Sequence, residues 1–210
     1  MFQGEVISYE ERIVIAKGLN PENKINLNKL KSYLFKEDYQ NLKLLNAIKI
    51  PFEKKELTLL YPGCGADILF PLIYLEKLFS KVTQANLIFV DLEDNLGIIK
   101  TILDEIGICF EEKENEISFY WEKKIIYLRF ITQNIETYLP HSKSIDLYFE
   151  RAFRIMRERI TEYEPKIINL LSPSGILISD AGFEGANLQK IEVSLELSAY
   201  REMIIGIKPS

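Results

Sequence analysis

Short apolar runs separated by segments of helical period constrain this chain more than any other feature. Leu57–Leu60, Leu87–Val90, Ile145–Phe149 and Ile176–Ile178 are strand-like and mostly apolar on both faces. Between the first two, residues 67–80 place Leu72, Leu75, Leu78 and Phe79 at helical spacing. Residues 95–106 are helical too, and Gly107 stands where a left-handed stop belongs. Strands that are apolar on both faces must be covered on both faces, and strands alternating with helices build parallel sheets.

The remaining segments fill in the plan. Ile117–Tyr120 and Ile125–Ile131 flank Trp121-Glu122-Lys123-Lys124 and read as a hairpin inserted before the next crossover. Residues 151–171 read as helical, in two pieces if Pro165 opens a fresh first turn. Ser172-Pro173-Ser174-Gly175 reads as a turn. Ile191–Leu197 and Met203–Ile207 read as strands joined by too short a link for a parallel crossover, so they should pair antiparallel. Residues 1–50 are rich in Asn and Lys and carry Leu27, Leu30, Leu34, Leu42, Leu45 and Ile48 at helical spacing before Pro51. The expected division is a helical extension or lid over 1–51 and one α/β domain over 52–210.

Composition narrows the functional classes. With 210 residues, 47% hydrophobic and 27% charged, the chain can bury a full core. Its net charge of −5 argues against a sequence-independent grip on nucleic acid. Cys64 and Cys109 have neither metal-ligand nor disulfide spacing, which fits free thiols in a reducing cytoplasm. The opening MFQGEVISYEERIV is not a signal peptide, and no stretch approaches the ~18 apolar residues of a membrane span.

The chemistry-bearing stretch is LTLLYPGCGADILFP, residues 57–71, where an apolar strand meets Gly-x-Gly and a helix follows. Glycine permits positive φ and close approach to the backbone, and a helix start offers free N–H groups. Asp91 ends the next strand, and a carboxylate about 20 residues beyond such a loop is placed to hold a ribose diol. The plainer alternative is a turn at Gly63 and Gly65 with Asp91 capping a helix.

These motifs, in this order, resemble the class I S-adenosylmethionine-dependent methyltransferases. LLYPGCGADI resembles the family's first motif, IFVDLEDN its second strand with the ribose acid, IDLYFERAF its fourth strand starting near Asp146, and IINLLSPSGILISD its fifth-strand region. The resemblance spans about residues 52–210. It implies a three-layer Rossmann-like sandwich, with a mostly parallel seven-stranded sheet and an antiparallel terminal pair. It implies S-adenosylmethionine as cofactor, held by Tyr61, Gly63, Cys64, Gly65, Asp67, Asp91, Leu92 and Asn134. The sequence departs from the family at Tyr61 (usually an acid), at Asp67 (usually the third glycine) and at Asn134 (usually Asp on the adenine side). A member of the fold that binds without catalysis is therefore a second reading. A nicotinamide-dependent oxidoreductase ranks below both, because Ile68 stands where its third glycine is needed.

Methyl transfer needs alignment and sometimes a base. The loop after the fourth strand supplies Glu150 and Arg151 as catalytic candidates. Glu150 is a base, a group that orients substrate, or an exposed acid paired with Arg154. Arg151, Arg154 and Arg157 recur at helical spacing, either as a grip for an anionic small-molecule substrate or as a solvated face. Asp180 ends the fifth strand at the same edge. His141 belongs to the opposite edge, and Cys64 reads as a packing residue of the loop. Phe119, Tyr120 and Trp121 make the hairpin tip a candidate homodimer contact.

Overall fold

A computed structural model describes residues 7, 9–139, 143–184, 187–198 and 201–209. Among these residues nine strands form one sheet: β1 (Glu56–Pro62), β2 (Gln84–Asp91), β3 (Phe110–Lys113), β4 (Glu116–Trp121), β5 (Lys124–Thr132), β6 (Ile145–Glu150), β7 (Leu171–Ser179), β8 (Gln189–Ile191) and β9 (Ile204–Ile207). Their order is β3-β4-β5-β2-β1-β6-β7-β9-β8. The contiguous block β5-β2-β1-β6-β7 is parallel throughout. β9 runs antiparallel to both β7 and β8, as the short link between the last strands requires.

Helices cover both faces. On one lie α1 (Leu27–Ser32), a 3-10 helix (Leu42–Ala47), α3 (Leu69–Leu78) and α4 (Leu96–Glu105), packed on the core around Leu59, Leu87 and Phe149. On the other lie α5 (Ile135–Tyr138) and α7 (Tyr163–Leu170), packed around Leu60, Val90 and Leu177. The fold is thus the three-layer Rossmann-like sandwich. No helix among the described residues is long and apolar enough to cross a membrane.

Several expectations need correction. Among the described residues the sheet has nine strands rather than seven, because β4 pairs antiparallel with β5 and β3 antiparallel with β4 at its edge. β4 and β5 form the hairpin read from the sequence, pairing antiparallel from Glu116↔Arg129 to Trp121↔Lys124, but β5 has a second role. It pairs with β2 in parallel over Gln84↔Ile125 to Asp91↔Thr132 and is the third parallel strand of the core. Ser172–Gly175 bulges within β7, where Leu171 pairs Ile145 and the ladder resumes at Leu147↔Ile176. Leu195–Leu197 forms a 3-10 turn, which leaves β8 with three residues. Residues 151–171 break into a loop, the one-turn α6 (Arg154–Arg157) and α7, with Glu162 left-handed just before α7.

Two polar stitches hold the frame. Asp146 accepts from the Thr58 N–H, Lys54 Nζ and Ser172 Oγ, tying β1, β6 and β7 at their N-terminal ends. Lys124, buried, donates to the carbonyls of Phe79 and Val82 just past the end of α3. The N-terminal segment lies along α4 and β3. The Lys17 and Gly18 N–H groups donate to the Phe110 carbonyl, and Glu105 gathers Arg12, Lys29 and Tyr33.

Candidate functional site

The strand order reverses between β1 and β6, and ligands of open α/β sheets bind outside the carboxyl ends of strands at such a point. The glycine loop leaves β1 there. Gly63 (φ +58°) and Gly65 (φ +51°) are both left-handed, which accounts for glycine at each. The loop is tied to the end of β2 twice. The Gly63 N–H donates to the Val90 carbonyl at 2.8 Å, and the Gly65 N–H donates to Asp91 Oδ2 at 2.8 Å. Asp91 Oδ1 accepts from the Glu93 N–H at 3.2 Å. Each carboxylate oxygen has a second lone pair, so the group can still accept from a diol.

A cleft of about 400 Å³ opens beside the loop, lined by Gly63, Asp91, Leu92, Asn134, Phe153 and Met156 among others. Leu92 is exposed there. Asn134 lines the cleft but caps α5 with its side-chain oxygen, which accepts the Glu136 N–H at 2.8 Å. The space around the two glycines differs. A Cβ at Gly63 would run into the Phe153 ring, whereas one at Gly65 would meet nothing within 4 Å.

Tyr61 and Asp67, the two departures in the loop, form a pair. The buried Tyr61 hydroxyl donates to Asp67 Oδ2 at 2.9 Å, and Asp67 Oδ1 accepts the Phe70 N–H at the start of α3 at 3.3 Å. A carboxylate thus stands beside the loop although position 61 is not an acid. Burial pushes the Asp67 carboxyl above the usual range, against the pull of Arg151. Arg151 reaches Asp67 Oδ2 and Asp38 Oδ2, each at 3.4 Å, with its Cζ 3.2 Å from the centre of the Phe70 ring. Asp38 belongs to α2 (Lys36–Asn41) of the N-terminal segment.

The turn after β6 is held from two sides. Ala152 is left-handed (φ +54°), and its N–H lies 3.1 and 3.0 Å from the two oxygens of Asp180. Burial raises the Asp180 carboxyl. Glu150 is neither exposed nor paired with Arg154. It is fully buried, bound by Arg157, and accepts from Ser179 Oγ at 2.6 Å and Tyr148 Oη at 2.6 Å. Tyr148 also meets the Tyr163 hydroxyl at 3.0 Å. Burial raises the Glu150 carboxyl against the pull of Arg157. Its oxygens are engaged by Arg157, Ser179 and Tyr148, and the pairing with Arg154 is not formed.

The arginines do not form a row, because 151–153 is a turn rather than a helix. Arg151 faces Asp67, Arg154 is exposed with Glu158 and Glu202, and Arg157 is buried with Glu150. Cys64 is buried, as a packing residue of the loop, and burial raises its thiol. Phe119 and Trp121 are core residues, leaving Tyr120 half-buried and Glu122 and Lys123 at the hairpin tip. His141 lies outside the described residues. Sequence reasoning missed Phe153 and Asp38. No motif marks either, since Phe153 matters through its packing on Gly63 and Asp38 arrives from another part of the chain.

No family model matches the chain, and no curated protein matches it. Among solved structures it is similar to a methyltransferase from Geobacter sulfurreducens, at 11% identity over 82% of this chain and 78% of that one, with a TM-score of 0.47. It is also similar to the N-methyltransferase NodS from Bradyrhizobium japonicum WM9, at 14% identity over 88% and 99%, with a TM-score of 0.48. A putative class I S-adenosylmethionine-dependent methyltransferase from Listeria monocytogenes is similar at 13% identity over 88% and 66%, with a TM-score of 0.45.

Proposed function

We propose that this protein binds S-adenosylmethionine and transfers its methyl group to a small molecule. The observation that carries the reading is the Gly65–Asp91 hydrogen bond at the switch point, beside a cleft wide enough for a nucleoside. Asp91 would hold the ribose hydroxyls, with Leu92 and Asn134 on the adenine side. The open backbone at Gly65 and the carboxylate of Asp67 would face the amino-acid end of the cofactor. When bound, the cofactor supplies a methyl group on a sulfonium, an electrophile that needs an aligned nucleophile more than an acid or a metal.

The chain's own residues do the aligning. Asp180 fixes the Ala152 turn, which sends Arg151 toward Asp67 and lays Phe153 on Gly63. Glu150 serves this turn through Arg157 and Ser179 as a positioning residue. The segment before residue 52 contributes Asp38 as a roof over Arg151.

A second reading, a binding or regulatory module without catalysis, is favoured by the Phe153 ring packed on Gly63. Incubation with methyl-labelled cofactor and a panel of small amines, thiols and carboxylic acids separates the two. Label in any acceptor, lost in Asp91→Ala, supports transfer. Tight cofactor binding without label in any acceptor supports the module, and absence of cofactor binding sinks the enzyme reading.

A further inference from the structure

Resting on the cofactor reading, we propose that Arg151 is a receptor for a ligand carboxylate and that Asp38 competes with that ligand for it. A guanidinium binds a carboxylate best through two parallel bonds of about 2.7–2.9 Å to one group. Arg151 instead makes single contacts of 3.4 Å to two different carboxylates, Asp67 and Asp38. Its fork is shared between them and filled by neither. The guanidinium is also pinned. It stacks on Phe70, and its backbone lies between Glu150 and Ala152, both of which are anchored. It cannot follow Asp38 outward, so a ligand must come to it.

The two carboxylates are not equally fixed. Asp67 is held by the Tyr61 hydroxyl and the Phe70 N–H. Asp38 sits on a six-residue helix with no buried residue of its own and no side-chain cap. Its side chain is 28% exposed, against 25% for Arg151. The outer contact is therefore the exchangeable one. Phe70 lies against the guanidinium and gives the approach an apolar side. A carboxylate arriving there restores the bidentate geometry and releases α2, so occupancy is linked to the N-terminal segment.

Two sources can bring a carboxylate, the amino-acid end of the cofactor and the methyl acceptor. Calorimetric titrations of the full chain, Asp38→Asn and Arg151→Gln with three probes distinguish them. S-adenosylhomocysteine carries the carboxylate, 5′-methylthioadenosine is the same nucleoside without it, and benzoate is an aromatic carboxylate alone. Asp38→Asn should tighten a carboxylate probe by roughly two- to fivefold, the range of a partly exposed ion pair. Arg151→Gln should weaken it roughly tenfold or more, as expected for charge-assisted bonds. Methylthioadenosine should respond to neither.

If S-adenosylhomocysteine shows this response, the receptor takes the cofactor's carboxylate. If it behaves like methylthioadenosine while benzoate responds, the receptor takes an acceptor's. Indifference of both carboxylate probes to both substitutions overturns the proposal. Failure of methylthioadenosine to bind counts against the cofactor reading, and the benzoate titration still decides this one. Asp38→Asn lies on an exposed helix and tests the competition even if Arg151→Gln does not fold.

Discussion

Asp91 closes the glycine loop onto β2: its Oδ2 accepts the Gly65 N–H at 2.8 Å, so the residue read as the ribose acid is also a fastener of the loop. The two roles make separable demands. Asp91→Ala removes both, and loss of charge-assisted bonds worth about 1.5–3 kcal/mol should weaken S-adenosylhomocysteine roughly 10- to 100-fold. Asp91→Asn keeps one acceptor for Gly65 and should lose less. Calorimetric affinities for the two variants check this, and an Asp91→Ala affinity within twofold of the parent removes the ribose role.

Gly63 is required by its backbone and by its neighbour. Gly63→Ala strains a left-handed residue and drives a methyl into the Phe153 ring. The expected cost is about 2–4 kcal/mol, combining left-handed strain with overpacking. In Phe153→Ala the steric part should vanish, so the double variant should lose less than the sum of the two singles. Urea denaturation of the four proteins measures this coupling.

The buried Arg157–Glu150 pair should prove structural. Arg157→Ala leaves a buried carboxylate without its cation and should cost about 3–5 kcal/mol. Arg154→Ala, one turn earlier on exposed pairs, should cost far less. Thermal melts of the two variants compare them directly; equal losses would return the arginines to a common row.

Stability should rise on mild acidification. Asp67, Glu150 and Asp180 each have a carboxyl raised by burial. A raised group binds its proton more tightly in the folded than in the unfolded chain. Its stabilising share is complete below the unfolded value of about 4 and is lost as pH climbs through the folded value. Lowering the pH from above the folded values toward the ordinary carboxylate range should therefore raise the melting temperature. Asp180→Asn should flatten that slope. Glu105, lowered by its hydrogen bonds from Lys29 and Tyr33, works in the opposite sense and only at more acid pH. A slope of melting temperature against pH that is unchanged in Asp180→Asn contradicts the assignment.

The fold was legible where periodicity and burial agree. The runs at Leu57, Leu87, Ile145 and Ile176 are core strands, and the Gly-x-Gly loop, Asp91 and Asp180 meet at one edge of the sheet. β5 was legible as a hairpin arm but not as a core parallel strand, because its pattern alternates: Ile126, Leu128 and Phe130 are buried while Tyr127 is half-buried and Arg129 exposed. β3 was missed because Phe110 is its only buried residue. The helix over 151–171 was over-read because spacing alone cannot register the left-handed Ala152 and Glu162. The Tyr61–Asp67 pair was visible as two oddities, but only the fold shows that they answer each other.

The central claim is that the cleft beside Gly63 and Asp91 holds an S-adenosyl group. Calorimetric titration of the unmodified chain with S-adenosylhomocysteine tests it most directly. Saturable binding at one equivalent, abolished or strongly weakened in Asp91→Ala, is the predicted result. The absence of any binding heat or thermal stabilisation at millimolar ligand would contradict it.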